Sequence, residues 1–412
     1  MKFEDYDIIP ELKKSLALLG FRRPTDIQYK AIPSILKGED VLAIAHTGTG
    51  KTGAFVIPTL HILQKRKRPD RPDGVKCVVM APTHELALQI AGVFQEIGKY
   101  TDIRTYCIIG GVDQDPQIRH LEKGIDVLVA TPGRLFDLRS QGYLRLDRME
   151  ILIIDEADHM LDLGFLKDIQ DLIRYLPKRR QTLFFSATIN EYIKKLAYSL
   201  VINPIRIQLS PKNPVAKTIT HAVLFVEMDD KRFFLERLLN EHPNIKTLVF
   251  VRTKVRAERV CKALERVGIH SETIHSDKTQ DERLEVMQRF REGLVHVLIA
   301  TDVSARGIDI PNVDYVVNYD LPDKSENYVH RVGRTGRGNQ RGNAVSFCST
   351  EEKPILQEIE TYLGQPVKVL EISKRDYQDT REFTLDTTYD WQGLIDQAEA
   401  AKADRRKKKK KG

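Results

Sequence analysis

Short apolar runs of strand length recur along the chain. In the first half they are Val41 to Ile44, Val75 to Ala81, Tyr106 to Ile109, Val127 to Ala130, Ile151 to Ile154 and Leu183 to Phe185. Helical spacing fills most of the gaps, as in Leu12, Leu16 and Leu19 after Pro10, ending at Gly20, or Leu86, Ile90, Val93 and Ile97. Strands alternating with helices predict a parallel sheet covered on both faces, with ligands beyond the carboxyl ends of its strands. Asn203-Pro204 and Ser210-Pro211-Lys212-Asn213-Pro214 break the pattern and read as an interdomain connection. A second alternating unit follows, with strands at Ala222 to Val226, Thr247 to Val251, Val295 to Ala300, Tyr315 to Val317 and Ala344 to Cys348. The pattern divides the chain into residues 1–207, a linker 208–216, a second unit 217–372 and an extension 373–412. In the extension Arg381 to Tyr389 alternates like a strand, and Trp391 to Ala403 suits a short helix.

Composition agrees with this division. The 412 residues allow two or three units of roughly 150 residues, and 41% hydrophobic content suffices for a core in each. No apolar run approaches the ~18 residues of a membrane span. The acidic start Met1 to Asp7 has no signal-like core. The expectation is a soluble, cytoplasmic protein with no membrane partner. Cys77, Cys107, Cys261 and Cys348 are far apart and suggest neither a disulfide framework nor a zinc site. The formal charge is +7, and residues 402–412, with eight basic and one acidic side chain, supply all of it. An anion-binding surface on the body must then come from local arrangement. The run Arg405 to Lys411 is a charged tail that either binds nucleic acid or aids solubility.

The strand ends carry the chemistry. Ala45-His46-Thr47-Gly48-Thr49-Gly50-Lys51-Thr52 follows an apolar strand and precedes a helix, the context in which a turn binds phosphate. Gly48 and Gly50 leave the backbone bare, Lys51 offers a charge to terminal phosphates, and Thr52 offers a hydroxyl to magnesium. Upstream, Thr25 and Gln28 have capping-box spacing. The Gln28 amide also suits adenine, with Phe21 near enough to stack. Both readings of Gln28 stay open. Ile151-Leu152-Ile153-Ile154 leads into Asp155-Glu156-Ala157-Asp158, which makes Asp155 a metal-side carboxylate and Glu156 a group that orients or deprotonates an attacking water. Pro82-Thr83, Gly110-Gly111 and Thr131-Pro132-Gly133-Arg134 are each ordinary turn chemistry. Together on one edge they suggest a track for a phosphodiester backbone. The second unit has no Gly-Lys-Thr but has arginine-rich strand ends, above all His330-Arg331-Val332-Gly333-Arg334-Thr335-Gly336-Arg337, which suits arginine fingers for a nucleotide held by the other unit.

From about Phe3 to about Ile372 these motifs, in this order, resemble the DEAD-box ATP-dependent RNA helicases. The resemblance implies an α/β fold of two tandem RecA-like domains plus a basic C-terminal tail, using ATP and Mg2+ to close on single-stranded RNA or a short duplex and separate its strands. It implies ATP contacts from Phe21, Gln28, Thr47, Gly48, Thr49, Gly50, Lys51 and Thr52, with Asp309 at the ribose and Arg334 and Arg337 at the γ-phosphate. Magnesium falls to Thr52 and Asp155, and catalysis to Lys51, Asp155, Glu156, Arg334 and Arg337. Domain coupling falls to Asp158, Ser186, Thr188 and His330. RNA backbone contacts are implied at Pro82, Thr83, Gly111, Thr131, Gly133, Arg134, Arg252, Gln280, Arg283, Thr301 and Asp302. One position departs from the family pattern: His84 stands where arginine is usual, which implies a weaker or pH-dependent phosphate contact. The short body and basic tail are similar to the bacterial RhlE-type subgroup. A non-catalytic RNA clamp and a DNA helicase are the alternatives.

Overall fold

The computed structural model describes residues 1–45, 48–67, 74–209, 215–216, 218–302, 313–336 and 341–382. In the first unit the elements run α1 (Pro10–Leu18), α2 (Asp26–Leu36), β1 (Val41–Ile44), α3 (Lys51–Arg66), β2 (Cys77–Met80), α4 (His84–Ile97), β3 (Thr105–Ile108), α5 (Asp115–Glu122), β4 (Val127–Ala130), α6 (Pro132–Ser140), β5 (Ile151–Ile154), α7 (Ala157–Asp162), α8 (Leu166–Ile173), β6 (Gln181–Ser186), α9 (Glu191–Leu200) and β7 (Ile205–Gln208). The second runs β8 (Ile219–Phe225), α10 (Lys231–Glu241), β9 (Thr247–Phe250), α11 (Lys254–Arg266), β10 (Ser271–Ile274), α12 (Gln280–Glu292), β11 (Val297–Ala300), β12 (Tyr315–Asn318), α13 (Ser325–Val332), β13 (Gly342–Cys348), α14 (Lys353–Leu363), β14 (Lys368–Val369) and α15 (Lys374–Glu382).

Each unit is a seven-stranded parallel sheet between helices, as the alternation of strands and helices predicts. The orders are β3-β4-β2-β5-β6-β1-β7 and β10-β11-β9-β12-β13-β8-β14, the same arrangement used twice. All four residues of β1, β2, β4 and β5 are buried. Val41 and Ala43 pack into the core on one face of the first sheet, and Leu42 and Ile44 into that on the other. Burial on both faces is what makes these strands continuous apolar runs.

The apolar pattern misses three strands, β7, β10 and β14, and all three lie at sheet edges. In β7 the side chains of Ile205, Arg206 and Gln208 are exposed, and β14 is exposed throughout. An edge strand needs less apolar surface, so its sequence signal is weak. The strand-like alternation from Arg381 is also corrected where it can be seen. Arg381 and Glu382 end the helix α15, whose Tyr377 hydroxyl donates to Asp230 Oδ2 at 2.8 Å and packs its ring 4.9 Å from Phe234. Contacts of this helix with α10 outweigh the local alternation. Tyr389, Trp391 to Ala403 and Arg405 to Lys411 lie outside the described residues.

Two buried polar centres hold the strands that matter for function. Asp40, just before β1, accepts from Thr182 N at 2.7 Å through Oδ1 and from Ile202 N at 2.6 Å through Oδ2. It thereby ties β1 to β6 and to the lead-in of β7. In the second unit Lys231 is 0% exposed, and its ammonium donates to Tyr319 O at 2.7 Å and to Glu352 Oε2, with Asp320 Oδ1 3.6 Å away. Glu352 Oε1 also accepts from Leu321 N at 3.1 Å, and Asp320 Oδ2 from Arg252 N at 2.9 Å. Replacing Lys231 with Met takes the buried ammonium from two buried carboxylates that keep ion pairs to Arg252 and Arg256, for which the expected cost is on the order of 3 kcal/mol. Hydrogen exchange reads it locally: amides of β9 and β12 lose protection in the variant while those of β1 and β6 keep theirs.

Candidate functional site

The site is assembled at the carboxyl ends of β1, β5 and β6. Ala45 N donates to Ser186 O at 3.0 Å, which keeps β1 paired to the last residue of β6. The chain then turns through Gly48 (φ +81°) and Gly50 (φ +89°), left-handed conformations open to glycine, and α3 begins at Lys51. The unpaired N–H groups of that helix start face the turn, where an anion is favoured. Gly50 and Gly53 are also needed for a close approach. A Cβ on either would stand within 2.8 Å of Gln28 Nε2.

Gln28 therefore touches the turn and caps its own helix at once. Its Oε1 accepts from Thr25 N at 2.9 Å, and its Nε2 donates to Gly50 O at 3.1 Å. The capping reading is satisfied in the structure. One amide hydrogen and one lone pair of Gln28 remain beyond these two bonds. Phe21 is exposed, with its ring set edge-on to Phe3 at 6.0 Å.

Lys51 is 7% exposed and its Nζ has no hydrogen-bond partner among the described residues. An ammonium so withdrawn from water needs anionic company. Burial pushes the Asp155 carboxyl up to about 6, against the opposing pull of Lys51. Burial also acts to raise Glu156, but the His159 hydrogen bond and the charges of Lys51, His159 and Arg334 outweigh it and bring Glu156 down to about 2. Neighbouring carboxyls driven apart in this way serve different tasks. Glu156 also has left-handed backbone angles, φ 49° and ψ 51°, which a non-glycine residue adopts at a cost. Asp155 Oδ1 accepts from Glu156 N at 3.0 Å.

Asp158 binds the end of β6. Its Oδ2 accepts from Ala187 N at 3.2 Å, Thr188 N at 3.0 Å and Thr188 Oγ1 at 3.2 Å. Ser186 Oγ is buried with no hydrogen-bond partner among the described residues. Asp158 and Thr188 line a cleft of about 370 Å³ whose opposite wall carries Lys324, Glu326, Asn327 and His330 of the second unit. Lys324 Nζ reaches across to Asp162 Oδ1 at 2.6 Å.

The arginines of the second unit separate into distinct roles. Arg331 is 2% exposed and forks onto Asp302, Nε to Oδ1 at 2.6 Å and Nη2 to Oδ2 at 2.9 Å, while Nη1 donates to Asp320 O at 2.6 Å. It ties the ends of β11 and β12 together. Arg334 donates through Nε to His330 O at 3.2 Å, and its charge reaches Glu156 in the other unit. Arg252 is held by Asp323 at 3.3 Å and Glu352 at 3.4 Å. Thr47, Arg306, Asp309 and Arg337 lie outside the described residues.

The residues expected along a backbone track lie at strand ends and helix starts. Thr83 caps α4 by accepting from Leu86 N at 3.3 Å, Thr131 precedes Pro132 and Gly133 at the start of α6, and Gly111 has φ +71°. Arg134 donates to Val112 O at 2.8 Å, and Thr301 follows β11. Gln280 and Arg283 meet the first unit directly, with Arg283 Nη2 2.7 Å from Glu85 Oε1. Sequence reasoning passed over Glu85, His159, Lys324 and the anchoring work of Arg331. His159, three residues after Glu156 on one helix face, had a local signal, whereas the others act across long separations.

Two families match separate stretches of the chain. Residues 25–196 match the family described as DEAD/DEAH box helicase, and residues 230–339 match the helicase conserved C-terminal domain. The chain is 38% identical over 359 residues to ATP-dependent RNA helicase CshA of Listeria monocytogenes, covering 87% of this chain and 68% of that one. It is 37% identical over 372 residues to ATP-dependent RNA helicase RhlB of Shewanella oneidensis, covering 89% and 85%. Among solved structures it is similar to S. cerevisiae Dbp5 bound to RNA and ADP BeF3, with a TM-score of 0.82, 32% identity and coverage of 93% and 98%. It is also similar to Mss116p bound to ssRNA and AMP-PNP, with a TM-score of 0.83, 27% identity and coverage of 98% and 85%. With both helicase regions matched in tandem and relatives of this identity covered over most of their length, the chain belongs to the DEAD/DEAH box helicase family.

Proposed function

We propose that this chain is an ATP-dependent RNA helicase, an RNA-stimulated ATPase that closes its two units on RNA and separates or remodels short duplexes. The observation that carries the reading is Lys51, a buried ammonium at the head of α3 with no hydrogen-bond partner among the described residues and with Asp155 and Glu156 beside it. Such a charge suits the terminal phosphates of ATP, with the turn from Gly48 to Gly50 on the remaining phosphate oxygens.

Thr52 and Asp155 offer the hard oxygen donors that magnesium prefers, and the ion when bound would neutralise charge on the phosphates. Glu156, ionised at neutral pH, accepts a hydrogen bond from the attacking water and orients it. Arg334, with Arg337, brings positive charge to the γ-phosphate from the second unit, so the site is complete only when the units meet. Asp158, bonded to the end of β6, and His330, across the cleft, join that event to the interface. RNA lies over the strand ends from Pro82 and Thr83 through Gly111, Thr131, Gly133 and Arg134 to Arg252, Gln280, Arg283 and Thr301. Asp302 serves that edge by fixing Arg331. Four free cysteines fit a reducing, cytoplasmic setting, and among the described residues no helix is long and apolar enough to cross a membrane.

Two measurements test the reading. In the first, Arg334→Ala is expected to lower RNA-stimulated ATP turnover by about three orders of magnitude while nucleotide affinity stays within a few-fold. Wild-type hydrolysis that is equally fast without RNA would sink the coupling between closure and chemistry. In the second, Gln28→Ala is expected to cost about 1 kcal/mol of stability through the lost cap and also to erase a preference for ATP over GTP. A lowered melting temperature with the preference intact would leave Gln28 as a cap and a brace for Gly50 alone.

A further inference from the structure

His84 opens α4 in the first unit and meets the second. Its Nδ1 lies 2.8 Å from Oε1 of Gln280, the first residue of α12. The neighbours decide which ring nitrogen carries the proton. Arg283 can only donate, so Glu85 Oε1, 2.7 Å from Arg283 Nη2, is an acceptor. Gln280 approaches that same oxygen at 3.4 Å and must do so through its Nε2. Its Oε1 is thereby turned to His84, and Nδ1 is the donor. In the neutral ring Nε2 is then left with a lone pair.

That nitrogen has no hydrogen-bond partner among the described residues, and the ring edge lies on the Gly110-Gly111 turn. A Cβ at Gly110 would stand 3.6 Å from Nε2, and one at Gly111 3.8 Å from Cε1. Bare glycine backbone beside a fixed acceptor leaves room for a strand to approach. A phosphate offers oxygens that accept and does not pair with a lone pair. The 2′-hydroxyl of ribose donates, and DNA lacks it.

We propose that Nε2 of His84 accepts a hydrogen bond from a ribose 2′-hydroxyl of the bound strand, which makes His84 a residue by which this chain distinguishes RNA from DNA. The proposal rests on the RNA-binding reading above and refines it. It replaces the phosphate contact expected at this position with a sugar contact. Gln280 takes a positioning role, since its amide holds the tautomer.

The test measures affinity of the full chain, with a non-hydrolysable ATP analogue, for an oligoribonucleotide and for strands made 2′-deoxy at one nucleotide at a time. It is run across a salt series for the wild type, His84→Ala and His84→Arg, two replacements of different size in case one fails to fold. In the wild type one position is expected to weaken binding about three- to tenfold when its hydroxyl is removed. In His84→Ala that position becomes like its neighbours, affinity for the all-ribose strand falls by the same factor, and the slope of log affinity against log salt is unchanged because a neutral contact releases no counterion. His84→Arg also loses the position effect but steepens the slope by about 0.7. The proposal is overturned if RNA binds but the wild type shows no sensitive position, if His84→Ala keeps the wild-type profile, or if His84→Ala flattens the slope by about 0.7, as loss of a cationic phosphate contact would. Failure of the underlying reading looks different: the oligoribonucleotide would then neither bind the wild type nor stimulate its ATP hydrolysis.

Discussion

A buried ammonium with no hydrogen-bond partner among the described residues is costly, and the first unit is arranged around that cost at Lys51. Asp40 ties β1 to its neighbours, β1 delivers the chain into the Gly48 to Gly50 turn, and Gln28 braces the turn from outside. Asp155 and Glu156 stand close enough for Lys51 to pull on both, which lowers the electrostatic cost without removing it. An anion at the helix start satisfies the same ammonium and the free N–H groups together. The left-handed backbone at Glu156 sets its carboxylate beside that same charge.

Among the described residues, the ion pairs between the two units are unequal in weight. Lys324 and Asp162 pair at 2.6 Å, but both are well exposed, and a pair of this sort contributes at most about 1 kcal/mol. Glu85 is buried and Arg283 partly so, and their attraction is opposed by desolvation. Neither pair accounts for strong association of the units by itself. Ligands that touch both units can therefore govern the meeting, because their binding energy is large against these terms.

Local chemistry was legible in the sequence, and distant chemistry was not. Asp155 and Glu156 stand directly after an apolar strand, and Lys51 and Thr52 close a glycine-bearing turn that follows another, so a few neighbouring residues announce them. Central strands were legible for the same reason, being buried on both faces, while β7, β10 and β14 carry too little apolar surface to announce themselves. Arg331 and Arg334 look alike in the sequence, yet one is locked onto Asp302 and the other extends its charge to Glu156. Gln28 presented two exclusive readings only because sequence shows one neighbour at a time. In three dimensions its amide has enough hydrogens and lone pairs for both.

The repeated strand order sets two lysines side by side for comparison. Lys51 begins the helix after β1, and Lys231 begins the helix after β8, the strand in the same place in the other sheet. Both ammoniums are withdrawn from water. Lys231, however, is met by the chain's own Glu352, which follows β13 as Ser186 ends β6. Read as two copies of one architecture, the pair shows a division of labour by counter-charge. One lysine is left with no hydrogen-bond partner among the described residues and so stays open to an anion from outside, while the other is already met by a carboxylate of the chain itself.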